Sequence, residues 1–237
     1  MVSASRPTVI VQARIGSTRF PGKVLAPFGV GSLLGHLIAR LAGTVELDDI
    51  WVATTEVAAD DAVEAAAGRA GARVFRGPTD DVLGRFVGCI HAMPHVPEHV
   101  IRICADRPLL CGELVRELVE AYGDTDGPDY FANTYPQKSY PDGLDLELVR
   151  TSALLEAAEE AVDPYEREHV TPFIYRRPER YSLAGLACPF GNFSDVRATV
   201  DTPEDYAALY ALDRSLGDDY DYRDVLNFAA VQPELFP

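Results

Sequence analysis

The strongest constraint on this chain is a repeated order: a short apolar run, a polar loop, then a segment with apolar residues at helical spacing. Thr8-Val9-Ile10-Val11-Gln12-Ala13 reads as a buried strand, and Leu33, Leu34, Leu37, Ile38 and Leu41 share one face of a helix expected over 32–41. The alternation continues with strands at 50–54, 73–75, 100–104 and 130–133, separated by helices at 58–70, 80–91 and 113–122. Strands alternating with helices in this way predict an α/β fold, a Rossmann-like and mainly parallel sheet flanked by helices. At 237 residues, and roughly 150 per domain, residues 1–237 are expected to form a single domain.

The pattern then changes. Residues 135–150 are rich in Tyr, Pro and Gly, and Tyr140-Pro141-Asp142-Gly143 is a turn signal ahead of alternating Leu144, Leu146 and Leu148, which predicts a small protruding hairpin lobe. Helices are expected at 151–161 and 166–177, returning strands at 181–186 and 197–200, and a C-terminal tail over 218–237. Thr202-Pro203-Glu204-Asp205 is a helix start, with Thr202 as cap, Pro203 in the first position and acids in the first turn.

Net charge is −16, from 21 basic and 37 acidic residues, a field that opposes binding to nucleic acid or to an anionic membrane. Against that background, residues 14–23 contain Arg14, Arg19 and Lys23 and no acid. The loop runs Gln12-Ala13-Arg14-Ile15-Gly16-Ser17-Thr18-Arg19-Phe20-Pro21-Gly22-Lys23, directly after the first strand, where an open parallel sheet binds ligands. Glycines that let backbone N–H groups approach, two hydroxyls, two guanidinium groups and an ammonium are the equipment of a triphosphate cradle. It is neither a Walker loop, because five residues separate Gly16 from Gly22 and Val24 replaces the hydroxyl residue, nor a GxGxxG fingerprint. Truncating Arg14 or Lys23 in such a polar loop is expected to remove no core packing.

Asp106 follows the fourth strand and Asp201 follows another apolar run. Each is open to two readings, a carboxylate for a hard cation such as Mg²⁺ or a turn and cap residue. Four cysteines (Cys89, Cys104, Cys111, Cys188) form no CxxC pair or Cys/His array, and read as reduced thiols in or near the core rather than a zinc site. The chain has no long apolar span and its first residues lack the regions of a signal peptide, so a cytoplasmic location is expected.

The 12–25 loop, Arg102 to Pro108, Tyr140-Pro141-Asp142-Gly143-Leu144-Asp145, Glu166-Arg167-Glu168-His169-Val170-Thr171 and Val200-Asp201-Thr202-Pro203-Glu204-Asp205, taken together and in order, resemble the cytidylyltransferase family. The resemblance is to its spore-coat polysaccharide type, related to the CMP-sialate and CMP-Kdo synthetases, and spans about 8–212. It implies a fold of the nucleotide-diphosphosugar-transferase type that transfers CMP from CTP to an acidic sugar or related acceptor, releases pyrophosphate and forms a homodimer. By the resemblance, Ala13, Arg14, Gly16, Ser17, Arg19, Lys23, Gly77, Asp80 and Arg102 bind nucleotide; Arg14, Lys23 and Asp106 are catalytic; and Asp106 and Asp201 hold Mg²⁺. Asp142, Arg167 and His169 fall on the acceptor side, His169 being open to roles as acceptor contact, base or packing residue. Arg107 stands where the family usually carries a small or acidic residue. A guanylyltransferase, a phosphonate cytidylyltransferase and a silent nucleotide-binding protein are the alternatives.

Overall fold

The computed structural model describes residues 7–29 and 31–237. The N-terminal apolar run forms β1 (Thr8–Gln12), and the antiparallel two-residue strands β2 (Pro27–Phe28) and β3 (Gly31–Ser32) lead into helix α1 (Leu33–Leu41). There follow β4 (Ile50–Thr55), α2 (Asp61–Arg69), β5 (Arg73–Gly77), α3 (Val82–Ala92), β6 (His99–Cys104) and α4 (Gly112–Gly123). The main sheet is completed by β7 (Tyr130–Ala132), β8 (Glu147–Arg150) and β9 (Leu183–Gly185), in the order β5-β4-β1-β6-β8-β7-β9. Only β8 runs antiparallel to its neighbours, so the sheet is mainly parallel.

Alternation along β1 serves both faces. Val9 and Val11 enter one core layer with α1 and α4, while Ile10 enters the other with α3. The predicted apolar face of α1 is fully covered, and burying each such leucine contributes about 1.5–3 kcal/mol. Ser32 caps α1 by accepting the Gly35 N–H at 3.1 Å, and Asp81 caps α3 through Gly84 N–H at 2.9 Å. Because β1 lies between β4 and β6, strand order reverses there, and the loops after β1 and β6 flank one crevice.

The second half departs from the sequence reading. Residues 135–150 form no protruding hairpin: Tyr140, Leu144 and Leu146 are buried, and residues 147–150 are β8, an interior strand. Of the alternating leucines only Leu148 lies in a strand, β8, whose partners are β6 and β7 rather than a neighbouring hairpin arm; Leu144 and Leu146 are buried in the segment that leads into it. Nor is 218–237 a tail, since α9 (Tyr222–Val231) buries Tyr222, Val225, Leu226 and Ala229. The helix expected over 166–177 is two short ones, α6 (Pro164–His169) and α7 (Pro172–Tyr175), broken at buried Val170, whose φ is 73°. Pro172, which has no N–H to continue the ladder of α6, opens α7 as its first residue. Residues 197–200 make only an isolated bridge from Arg197 to Asp142. Helices α5 (Thr151–Glu160) and α8 (Pro203–Leu216) form as expected, α8 with a full capping box of Thr202 and Asp205.

Candidate active site

The loop after β1 is folded by its own backbone. Ser17 and Gly22 N–H both donate to the Ile15 carbonyl, at 2.7 and 3.0 Å. Gly22 adopts φ 76°, a left-handed conformation suited to glycine, and residues Lys23–Leu25 then make one 3₁₀ turn that drives Lys23 inward. Asp60, at the start of α2 and almost fully buried, accepts the Ile15 N–H at 2.7 Å and the Thr55 hydroxyl, fastening the loop to β4. Sequence reading missed Asp60, which carries no motif; its role exists only because Thr55 and Ile15 converge on it.

Lys23 is the centre of the site. Its Nζ donates to Asp106 Oδ2 at 2.7 Å, Asp201 Oδ1 at 2.9 Å and the Val200 carbonyl at 2.7 Å. The two aspartates meet because the Val200 N–H donates to the Asp106 carbonyl at 2.9 Å, laying the 198–201 segment along the end of β6. That segment is held in turn by Gly143, whose φ is +107° and where a Cβ would come within 2.4 Å of the Ala198 carbonyl oxygen. Burial alone would lower the Lys23 pKa, but the charges and hydrogen bonds of Asp106 and Asp201 outweigh it and raise the pKa. Burial likewise opposes ionisation of Asp201, yet Lys23, Arg19 and Arg197 hold its carboxyl below the usual range. The expectation that truncating Lys23, like Arg14, removes no packing is corrected: Lys23 is only 8% exposed.

These groups open into a cleft of about 410 Å³ lined by the loop from Gln12 to Arg19, by Lys23, Cys104 and Asp106, and from the far side by Val82, Arg85, Glu168 and His169. Arg14 is exposed at its rim, and Arg19 reaches Asp201 at 3.0 Å. Solvent-facing cations over a loop of backbone donors, with paired carboxylates beneath, suit a polyphosphate and a hard cation.

Residues 8–227 match the family described as Cytidylyltransferase. The chain is also 36% identical to the spore coat polysaccharide biosynthesis protein SpsF of Bacillus subtilis (strain 168), over 88% of this chain and 87% of that one. The chain belongs to the cytidylyltransferase family. Among solved structures it is similar to a cytidylyltransferase from Leptospira borgpetersenii serovar Hardjo-bovis (TM-score 0.90, 27% identity, covering 98% and 97% of the two chains). At the level of fold alone it is also similar to a CMP:2-keto-3-deoxy-manno-octonic acid synthetase complexed with CTP (TM-score 0.63, 18% identity, covering 88% and 98%).

In this cytidylyltransferase, the structure brings together Ala13, Arg14, Gly16, Ser17, Arg19, Lys23, Asp106 and His169 around the cleft, with Asp201 on Lys23. It does not bring in the others. Gly77 ends β5, and exposed Asp80 lies beyond the residues lining the cleft. Contact from that side comes from Arg85, a buried α3 residue missed in the sequence, whose Nη1 donates to the Pro78 carbonyl at 2.6 Å and whose Nε is unpartnered. Burial, then the charge of Arg14, lowers the Arg85 pKa. Arg102 lines a separate pocket, where it pairs with Glu147. Arg167 is taken up by Asp81 and by the Ala158 and Ala161 carbonyls at the end of α5. Asp142 binds Lys138 at 2.9 Å and lies one residue, Arg197, away from Asp201. These three are corrected as direct cleft contacts: each spends its charge on another part of the chain. Cys89, Cys111 and Cys188 are buried as expected, while Cys104 borders the cleft.

Proposed function

We propose that this chain transfers CMP from CTP to an acidic sugar or related acceptor in polysaccharide or glycoconjugate biosynthesis, with release of pyrophosphate. The observation that carries this reading is the Lys23 ammonium held between Asp106 and Asp201 on the floor of a cleft whose rim is the acid-free 14–23 loop. An acceptor oxygen attacks the α-phosphorus of CTP; the new P–O bond forms as the bond to the β-phosphate breaks, and charge grows on the departing pyrophosphate. Arg14, Arg19 and the loop N–H groups neutralise the triphosphate, and Lys23 fixes the spacing of the two carboxylates.

Among the described residues no group of three or more Asp, Glu, His or Cys is poised to hold a metal. Two hard carboxylates that already share one cation nevertheless fit Mg²⁺, which takes one or two protein carboxylates and completes its shell with water and substrate oxygens. Asp106 and Asp201 would hold it, and when bound it supplies charge neutralisation and a lower pKa for the acceptor oxygen. His169, exposed on the cleft wall against Tyr165 at 4.2 Å between ring centroids, contacts the acceptor in this reading. Among the described residues no helix is long and apolar enough to cross a membrane. Action in the cytoplasm as a homodimer belongs to the same reading, the dimer being checked by light scattering.

The test is pyrophosphate release with four nucleoside triphosphates, a panel of sugar acids and Mg²⁺. CTP should be preferred, and Asp106→Asn and Asp201→Asn should each lose more than about tenfold in turnover, since an amide cannot supply the anionic charge. Equal turnover with ATP or GTP, or full activity of either variant at limiting Mg²⁺, would count against the reading.

A further inference from the structure

The two carboxylates of the cleft are unequally occupied. Asp106 meets one cation, Lys23, through its Oδ2. Asp201 meets three: Lys23 on Oδ1 at 2.9 Å, and Arg19 and Arg197 together on Oδ2, Arg19 at 3.0 Å. Both oxygens of Asp201 therefore already carry a protein cation. A further cation must displace one of them or stand against it, and like charges a few ångströms apart repel.

Two of the three are fixed by other bonds. Lys23 is buried and also donates to the Val200 carbonyl at 2.7 Å. Arg197 Nε donates to the Thr199 hydroxyl at 3.1 Å, and its Nη2 lies 3.4 Å from Asp205, which closes the capping box of α8. Arg19 has no such second hold. Among the described residues its one ionic partner is Asp201, its side chain is 62% exposed, and it stands on the acid-free 14–23 loop. An exposed ion pair is weak and easily exchanged, and a triphosphate on the same loop offers the guanidinium a bidentate partner of higher charge.

We propose that Arg19 is a positioning residue with two stations: in the empty chain it occupies Asp201 Oδ2 in place of a divalent cation, and it leaves for the triphosphate when a nucleotide fills the loop, so that the nucleotide opens the cation site. Arg197 stays behind and keeps the Asp201 carboxylate turned toward Lys23. Because one guanidinium cannot serve both stations at once, nucleotide and cation bind with positive coupling, each strengthening the other by the same factor. The inference rests on the reading of the loop as the triphosphate site and of Asp106 and Asp201 as cation ligands.

Mn²⁺ reads the site without turnover, through the electron paramagnetic resonance of the free ion titrated with the full chain and no nucleotide. Arg19→Gln should bind Mn²⁺ more tightly than wild type by about fivefold or more. Arg14→Gln removes the same charge from the same loop, at the exposed rim of the cleft, and should stay within about twofold of wild type. Calorimetry with CTP in metal-free buffer reads the converse. Asp201→Asn should bind CTP about threefold more tightly than wild type, because Arg19 no longer has to be drawn off a carboxylate, and the same change in an Arg19→Gln background should gain less than about 1.5-fold. Unchanged Mn²⁺ affinity in Arg19→Gln, an equal gain in Arg14→Gln, or an undiminished CTP gain in the double variant would each overturn the inference. Tighter Mn²⁺ binding by Arg19→Gln in a chain that releases no pyrophosphate from any nucleotide and acceptor would count against the proposed function alone. Pyrophosphate release by a chain whose Mn²⁺ affinity is indifferent to Arg19 would overturn this inference alone.

Discussion

Two neighbouring pockets put the same cationic side chains to opposite uses. In the cleft, Arg14 is exposed and Arg19 touches an acid only at its tip, its side chain 62% exposed. In the adjoining pocket Arg102 and Arg107 are each 13% exposed and each faces a carboxylate within the fold. A cation on a solvated loop keeps its charge available to a ligand, whereas one buried against an acid is committed to the structure and is costly to disturb. Lys23 belongs to both classes, being buried and paired like the second pair yet open to the cleft through its partners.

The largest effect is therefore expected at Lys23. Lys23→Ala should lower kcat/KM by about 10²-fold, because the two carboxylates lose the spacing that Lys23 fixes and misplacement by about 1 Å costs that much. It should also destabilise by about 3 kcal/mol, because Asp106 loses its cation while standing beside Asp201, which keeps Arg19 and Arg197. Arg14→Ala should match it in activity while its stability changes by no more than about 0.5 kcal/mol. Steady-state pyrophosphate release and urea unfolding measure the two quantities, and equal stability losses in both variants would erase the distinction drawn between free and committed cations.

Next comes Glu147→Gln, which should cost about 3 kcal/mol in urea unfolding with little change in CTP affinity, since it leaves the buried Arg102 charge unpaired. Burial by itself raises the Glu147 pKa, but Arg102, Thr171 and Tyr130 outweigh it and hold the carboxyl below the ordinary glutamate value. With the folded pKa the lower one, its stabilisation is complete above the ordinary value and is lost as pH falls through the folded one. Wild-type stability should thus decline on acidification below about pH 4.5, and the Glu147→Gln variant should show a shallower decline over that range. An identical slope in the two proteins would remove Glu147 from the committed group.

The smallest effect separates the loop from its anchor. Asp60→Ala removes the acceptor of the Ile15 N–H and should cost about 1–3 kcal/mol. Because Asp60 touches the loop and not its ligand, KM for CTP should rise several-fold with kcat changed less, and Asp60→Asn, which keeps an acceptor oxygen, should recover most of the loss. Equal damage to kcat in both variants would argue for a direct part in the reaction.

The amino-acid sequence by itself determined the parallel half of the sheet, its helices and the phosphate loop, because those features are local. Buried strands read as apolar runs, helix faces read as a 3.6-residue period, and an acid-free stretch in an acidic chain is visible without folding it. Asp106 and Asp201 were also legible as candidates, each at the end of an apolar run. Their meeting on Lys23 was not, nor was the interior position of β8, the Asp60 anchor, the approach of Arg85 or the withdrawal of Arg102 into a pocket of its own. Each of those depends on which residues from distant segments share a small volume. Pairing partners there are set by sheet register and by the backbone bond between Val200 and Asp106, and a charge becomes free or committed only when its burial and its nearest counter-charge are fixed together.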